Sequence, residues 1–241
     1  MEQEVRNKEI LGAALAEMGV SVTAQQTDQL LAYMKQVLAR NQFLNLTAIK
    51  DEEEFVVKHL ADSLACANFP EFQQAKRICD LGTGAGFPGV PLAIYSPEKT
   101  FVLVDSLAKR LRAVGEMTDA IGLENIYLDH DRAEDAGQGK AFRESFDLVM
   151  SRAVADLAVL AEYCLPLVRP GGSFLAYKGS GAEAEIEGAE TAIRLLGGKL
   201  IRTVDVSAAG MHHTILVIRK ERNTPKKYPR KAGTPSKMPI R

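Results

Sequence analysis

Residues Ile78-Cys79-Asp80-Leu81-Gly82-Thr83-Gly84-Ala85-Gly86-Phe87-Pro88-Gly89 constrain this chain more than any other stretch. A short apolar strand runs there into a glycine-dense turn and then a proline-initiated helix. Gly82, Gly84 and Gly86 permit positive φ and let a ligand approach the backbone, and Pro88 suits the first turn of a helix. The pattern predicts a nucleotide-cofactor turn. Gly84 to Gly89 also satisfies G-x-G-x-x-G, the dinucleotide fingerprint. Three features favour S-adenosylmethionine (SAM) over NAD: Asp80 gives D-x-G-x-G-x-G, Pro88 replaces the usual helix residue, and the segment 1–76 stands ahead of the strand. Asp80, Gly82, Gly84 and Gly86 are therefore expected to form the SAM turn, with a purely structural glycine turn as the plainer alternative.

Beyond the turn, strands and helices alternate, as in a doubly wound, mostly parallel α/β sheet. Phe101–Val104 reads as a second strand ending at Asp105, 19 residues after Gly86, the distance at which an acidic side chain reaches both ribose hydroxyls. A cap on the following helix is the other role open to Asp105. Asn125–Leu128 reads as the third strand and runs into Asp129–Asp135, a loop expected to flank adenine. Phe146–Met150 reads as the fourth, ending at Ser151-Arg152-Ala153-Val154-Ala155. A helix from Leu157 is expected to break at Arg169-Pro170-Gly171-Gly172, before a fifth strand from Ser173 to Gly179. Lys199–Val206 and Thr214–Lys220 read as a closing antiparallel pair.

Upstream, residues 1–76 read as helices packed on the core. Leu11, Ala14, Leu15 and Met18 form a stripe that Gly19 stops. Thr23 with Gln26, and Asp51 with Glu54, are capping signals. Asn41 to Thr47 looks too polar for a helix interior and is expected to be a loop, functional or merely turn-forming. The organisation expected is thus a helical segment over 1–76, a Rossmann-like SAM-binding core over 77–220, and a basic tail over 221–241 whose four prolines disfavour helix and sheet and space its charges along an extended segment.

With 46% hydrophobic residues in 241, the chain supports a real core. Cys66, Cys79 and Cys164 lie far apart with no ligand spacing, so neither a disulfide framework nor a metal is expected. A charged start and the lack of a long apolar run predict a cytoplasmic protein without a membrane span. Residues 221–241 hold seven Lys/Arg against one Glu, a net +6, leaving −7 for the rest of a chain whose total is −1. An acidic body with a basic tail points to a polyanionic partner.

Asn45-Leu46-Thr47-Ala48-Ile49, His59-Leu60-Ala61-Asp62-Ser63-Leu64, the run Asp80 to Gly89, Val104-Asp105-Ser106 with Lys109-Arg110, and Arg132-Ala133-Glu134 carry a further signal. With Ser151 to Ala155, Lys178-Gly179 and Arg230-Lys231-Ala232-Gly233-Thr234-Pro235, they strongly resemble the RsmG (GidB) family. That family comprises bacterial methyltransferases that make 7-methylguanosine in 16S ribosomal RNA. Thr83 stands where members often have Ser, and Ala232 where Pro is frequent. The resemblance implies that Gly82 and Phe87 contact SAM, that Ala133 and Glu134 line the adenine pocket, and that Arg152 borders the active site and positions substrate. It also implies 16S rRNA or the small ribosomal subunit as partner of a monomer.

Guanine N7 needs no general base, since it offers a lone pair on a neutral purine. Expected RNA contacts are Asn45, Lys109, Arg110, Lys178, Arg230 and Lys231. For Arg152 the other reading is an i,i+4 ion pair with Asp156. Rival functions are an NAD-dependent oxidoreductase and a non-enzymatic RNA-binding assembly factor.

Overall fold

The computed structural model of the chain describes residues 2–152, 154–179 and 181–241; Ala153 of the Ser151–Ala155 motif lies outside the described residues. Five parallel strands are β1 (Arg77–Leu81), β2 (Thr100–Asp105), β3 (Ile126–His130), β4 (Phe146–Arg152) and β5 (Val168–Lys178). Two more, β6 (Gly198–Ala208) and β7 (Met211–Lys220), form the expected antiparallel pair, and β7 adds antiparallel to β5. The order β3-β2-β1-β4-β5-β7-β6 reverses direction between β1 and β4. Ligands of open α/β sheets collect at the carboxyl ends of the strands flanking such a reversal, so the topology already places the site.

The central strands are buried on both faces, which is why they read as near-continuous apolar runs. Along β1 and β2, Ile78, Phe101 and Leu103 face one core while Cys79, Leu81, Val102 and Val104 face the other, the period of two of a pleated strand. The first core is closed by α1 (Glu2–Glu17), α2 (Ala24–Leu44), α3 (Glu52–Phe55), α4 (Pro70–Gln74), α5 (Gly89–Tyr95) and α6 (Ala108–Ala120). The second is closed by α7 (Ala133–Gln138), α8 (Leu157–Cys164) and α9 (Ala182–Leu195).

Both capping signals hold: Thr23 and Gln26 form a reciprocal box, and the Asp51 carboxylate accepts the Glu54 amide at 2.9 Å. Three expectations need correction. Asn41 to Leu44 is helix rather than loop, because the buried Asn41 amide is satisfied by the backbone of the returning chain, exchanging 2.9 Å hydrogen bonds with the N–H and C=O of Thr47. Strand β5 begins at Val168 instead of Ser173; the Pro-Gly-Gly stretch is absorbed as an irregularity, pairing jumping from Phe146↔Val168 to Leu148↔Ser173.

The third correction concerns the tail. Prolines do deny it strand and long helix, yet it does not extend freely. Arg143 donates to the carbonyls of Gly137, Tyr228 and Thr224, each at 2.8 Å, and Gln138 to Pro229 at 2.7 Å. Tyr228 and Pro229 are buried, and a single-turn helix, α10 (Thr234–Lys237), ends the packed stretch. Side chains of the core thus supply the backbone hydrogen bonds that a proline-rich segment cannot make with itself.

Candidate active site

The carboxyl ends of β1, β2 and β4 open into a cavity of about 570 Å³. Its floor is the glycine turn. Gly82 and Thr83 donate their amides to Val104 O at 2.8 and 3.2 Å, tying the turn to the end of β2. Gly82, Gly84 and Gly86 all have positive φ, 73°, 60° and 86°. A Cβ at Gly84 would find nothing nearer than Gly82 O at 4.0 Å, so this face of the turn is open to the cavity.

The turn is braced from below by Asp80. Its side chain points to the first core, fully buried, where Oδ2 accepts the Thr83 hydroxyl at 2.7 Å and the Gly89 amide at 2.8 Å. Asp80 and Gly86, both expected at the cofactor, are instead under the turn. They do not line the cavity; Gly86 packs against Tyr33, whose hydroxyl donates to Ala85 O at 2.9 Å. Burial pushes the Asp80 carboxyl up to about 6, although the Thr83 and Gly89 hydrogen bonds oppose the rise.

This has a measurable sign. A carboxyl raised in the folded state stabilises most when protonated, and that contribution is lost as pH climbs through about 6. Between pH 4.5 and 7.5 the loss is about 2 kcal/mol. Urea unfolding of Asp80→Asn, whose side-chain oxygen accepts the same two bonds, is expected to lack this component. Parallel pH profiles of variant and wild type would refute the assignment.

Asp105, at the end of β2, lines the cavity with both oxygens engaged: Oδ2 accepts Gly84 N–H and Oδ1 accepts Leu107 N–H, each at 2.9 Å. Ala133 and Glu134, at the start of α7, form the opposite wall. Phe87 and Arg152 complete it. The Phe87 ring stacks on His59, with centroids 4.7 Å apart and planes 7° from parallel, and the Arg152 guanidinium lies 5.4 Å from its centroid.

Arg152 is held by groups the sequence reading did not assign. Nη1 donates to Asp62 Oδ2 at 2.7 Å and to Lys58 O at 3.1 Å, and Nη2 to His59 Nδ1 at 3.0 Å. Asp156, the alternative partner, caps α8 by accepting the Ala158 amide at 3.0 Å. Since arginine only donates, His59 Nδ1 must accept, which puts the imidazole proton on Nε2, facing Thr47 Oγ1 at 2.7 Å. Burial and the adjacent Arg152 charge press the His59 pKa down to about 3, so the ring stays neutral. Burial raises the Asp62 carboxyl, but the hydrogen bond from His213 and the charge of Arg152 outweigh it and hold the group ionised. His59 lies within a π-helical turn, Val56–Ala61, and Asp62 caps its carboxyl end. Such turns often occur at functional sites. Their i,i+3 spacing was the available signal, since it puts both on one helix face.

Among the expected RNA contacts, Asn45, Lys109 and Lys231 are exposed, and Arg110 lines the cavity. Two are committed elsewhere. Lys178 donates to Ala155 O at 2.9 Å and pairs with Glu185 at 2.6 Å, its side chain only 10% exposed. Arg230 forks onto the buried Glu162 at 2.6 and 2.9 Å. Tyr163, Gly233 and Ser236, none of them expected, also line the cavity.

The residues present fit an adenosyl sulfonium. The volume suits a ligand of that size, the carboxylates of Asp105, Asp131 and Glu134 on the lining offer acceptors for its hydroxyl and amino groups, and the open side of Gly84 admits close approach. Among the described residues no cluster of His, Cys, Asp or Glu could hold a metal, and no helix is long and apolar enough to cross a membrane. Fold and site together define a class I SAM-dependent methyltransferase.

Two solved structures share this fold at low identity. TomG, an O-methyltransferase from Streptomyces achromogenes in complex with SAM, matches with a TM-score of 0.55 at 15% identity, over 79% of this chain and 90% of that one. An O-methyltransferase from Bacillus cereus in complex with SAH matches at 0.56 and 18%, over 78% and 91%. The family model for rRNA small subunit methyltransferase G (GidB) matches residues 26–215, and the chain belongs to that family, as its motifs implied. It is similar to Ribosomal RNA small subunit methyltransferase G of Oceanobacillus iheyensis, 46% identical over 94% of this chain and 96% of the relative. The relative of the same name from Alkaliphilus metalliredigens is 44% identical over 98% and 100%.

Proposed function

We propose that the protein methylates N7 of a guanine in 16S ribosomal RNA. The observation that carries this reading is the state of His59. It lines the cavity, but its Nδ1 lone pair already accepts from Arg152, its Nε2 faces Thr47, and its pKa is pressed down to about 3, so it is not poised to remove a proton. Guanine N7 requires none removed, unlike an exocyclic amine or a ribose hydroxyl. When bound, SAM supplies the electrophile, a methyl group on a positively charged sulfur.

The chain's own residues bind and orient. Asp105 faces the ribose, Ala133 and Glu134 the adenine, and the Gly82–Gly84 backbone the remainder. Arg152 holds the acceptor. Nη1 is given to Asp62 and Lys58 and one Nη2 hydrogen to His59, which leaves Nε–H and one Nη2–H for the acceptor; using both on guanine O6 and N7 together would block the attacking atom. A single donor to O6 or to a phosphate leaves N7 available. Orientation of this kind can supply about 7 to 11 kcal/mol of a barrier. In A-form RNA the groove carrying N7 is too deep and narrow for side chains, so the target guanine is unstacked or in an open loop.

The test is incubation with tritiated SAM and small subunits lacking the modification, followed by nucleoside analysis. Label in 7-methylguanosine is expected; label in another nucleoside, or none, would overturn the reading. Lys226, Lys227, Lys231 and Lys237 are exposed on the tail and suited to phosphates. Replacing the first three with alanine is expected to flatten the log–log salt dependence of RNA binding by about 2 to 3. An unchanged slope would remove them from the RNA surface.

A further inference from the structure

Loops at the carboxyl ends of the parallel strands ordinarily suffice to enclose a ligand in this type of sheet. Here a segment remote in sequence also reaches the cavity. After β7 the chain is pinned at three successive points. Buried Lys220 donates to Thr224 Oγ1 at 2.6 Å and lies 3.4 Å from Glu144. Arg143 then clamps the carbonyls of Thr224 and Tyr228. Arg230 finally forks onto Glu162, a carboxylate 0% exposed on α8.

Three residues on, Gly233 adopts a φ of 78° that turns its amide toward the cavity, where it donates to Glu134 Oε1 at 2.7 Å. Gly233 and Ser236 are then part of the cavity wall. Glu134 is a residue of the adenine side, so the tail is attached to the wall on which the cofactor would rest.

We propose that residues 221–241 form the outer wall of the cofactor cavity, so that tail docking and cofactor binding reinforce each other. The inference rests on reading the cavity as the SAM site. Coupling follows from geometry: a ligand between the glycine turn and Ser236 restrains the tail it touches, and a docked tail presents Glu134 already oriented. By linkage each raises the affinity of the other by the same factor. A tail that served only to display positive charge would need neither the Gly233–Glu134 bond nor a place on the wall.

Calorimetry with S-adenosylhomocysteine tests the affinity, and hydrogen–deuterium exchange tests the tail. In the full chain the ligand is expected to slow exchange of amides over residues 230–237 at least fivefold. A chain ending at Lys220 is expected to bind at least tenfold more weakly. Should that chain fail to fold, Gly233→Val decides: a Cβ there meets nothing within 4 Å, but a branched residue resists positive φ, moving the amide off Glu134 without disturbing the pins. Its affinity is expected to fall about fivefold or more. Affinity within twofold of wild type in Gly233→Val, with tail exchange unaffected by ligand, would overturn the proposal. No binding to the full chain would instead refute the cavity reading itself.

Discussion

Replacing Arg152 by lysine is expected to lower the rate of methyl transfer about 100-fold, the cost of a misplaced reacting group, while stability stays within about 1 kcal/mol. Lysine keeps a positive charge beside Asp62 but cannot serve Asp62, Lys58 O and His59 at once, and it has no planar edge to lay over Phe87. Alanine is expected to cost at least as much rate, but it confounds two effects. Side chains of Arg152 and Asp62 are only 15% and 11% exposed, so removal leaves a carboxylate compensated by His213 alone. Breaking such a pair costs about 3 to 5 kcal/mol. The lysine variant therefore separates positioning from stability. Near-normal turnover with saturating SAM and small subunits would make Arg152 a structural residue.

The second large effect is expected at Gly86. Alanine there would overlap the Tyr33 hydroxyl and stand 2.6 Å from Val90 Cγ2, at a φ of 86°. Urea unfolding is expected to show a loss of about 3 kcal/mol or more, and calorimetry at least a tenfold loss of S-adenosylhomocysteine affinity. Gly122 supplies the control: its φ is 71°, yet a Cβ meets nothing within 4 Å. Gly122→Ala is expected to cost only backbone strain, about 1 kcal/mol. Equal losses in the two variants would mean that Tyr33 does not constrain the turn.

Features written in short stretches of sequence were readable. The glycine turn, the Asp105 spacing, both capping signals and the antiparallel closing pair depend on local periodicity and backbone chemistry. Ion pairs were not. Lys178 and Arg230 look like free cations because Glu185 and Glu162, which neutralise them, belong to other elements. Asp62 meets Arg152 and His213 only once β4 and β7 are in the sheet. Asn41 misled for the same reason, a polar residue whose partner is the chain returning at Thr47. The tail misled through composition: proline and lysine suggested an extended arm, while the anchoring information sits in Arg143, Gln138, Glu134 and Glu162.

The helical segment and the glycine turn meet directly. Tyr33 from α2 holds Ala85 O, and His59 covers Phe87. Segments ahead of a SAM fold are natural places for acceptor choice to diverge, since the sheet is left untouched. In this chain that freedom is curtailed. A substitution on the inner face of α2 that accommodated a different RNA would also be felt at residues 85 to 87, beside the cavity proposed for the methyl donor. Drift toward a new substrate must therefore proceed along the outer face of the helices or bring compensating changes in the turn, which ties the history of the recognition surface to that of the catalytic one.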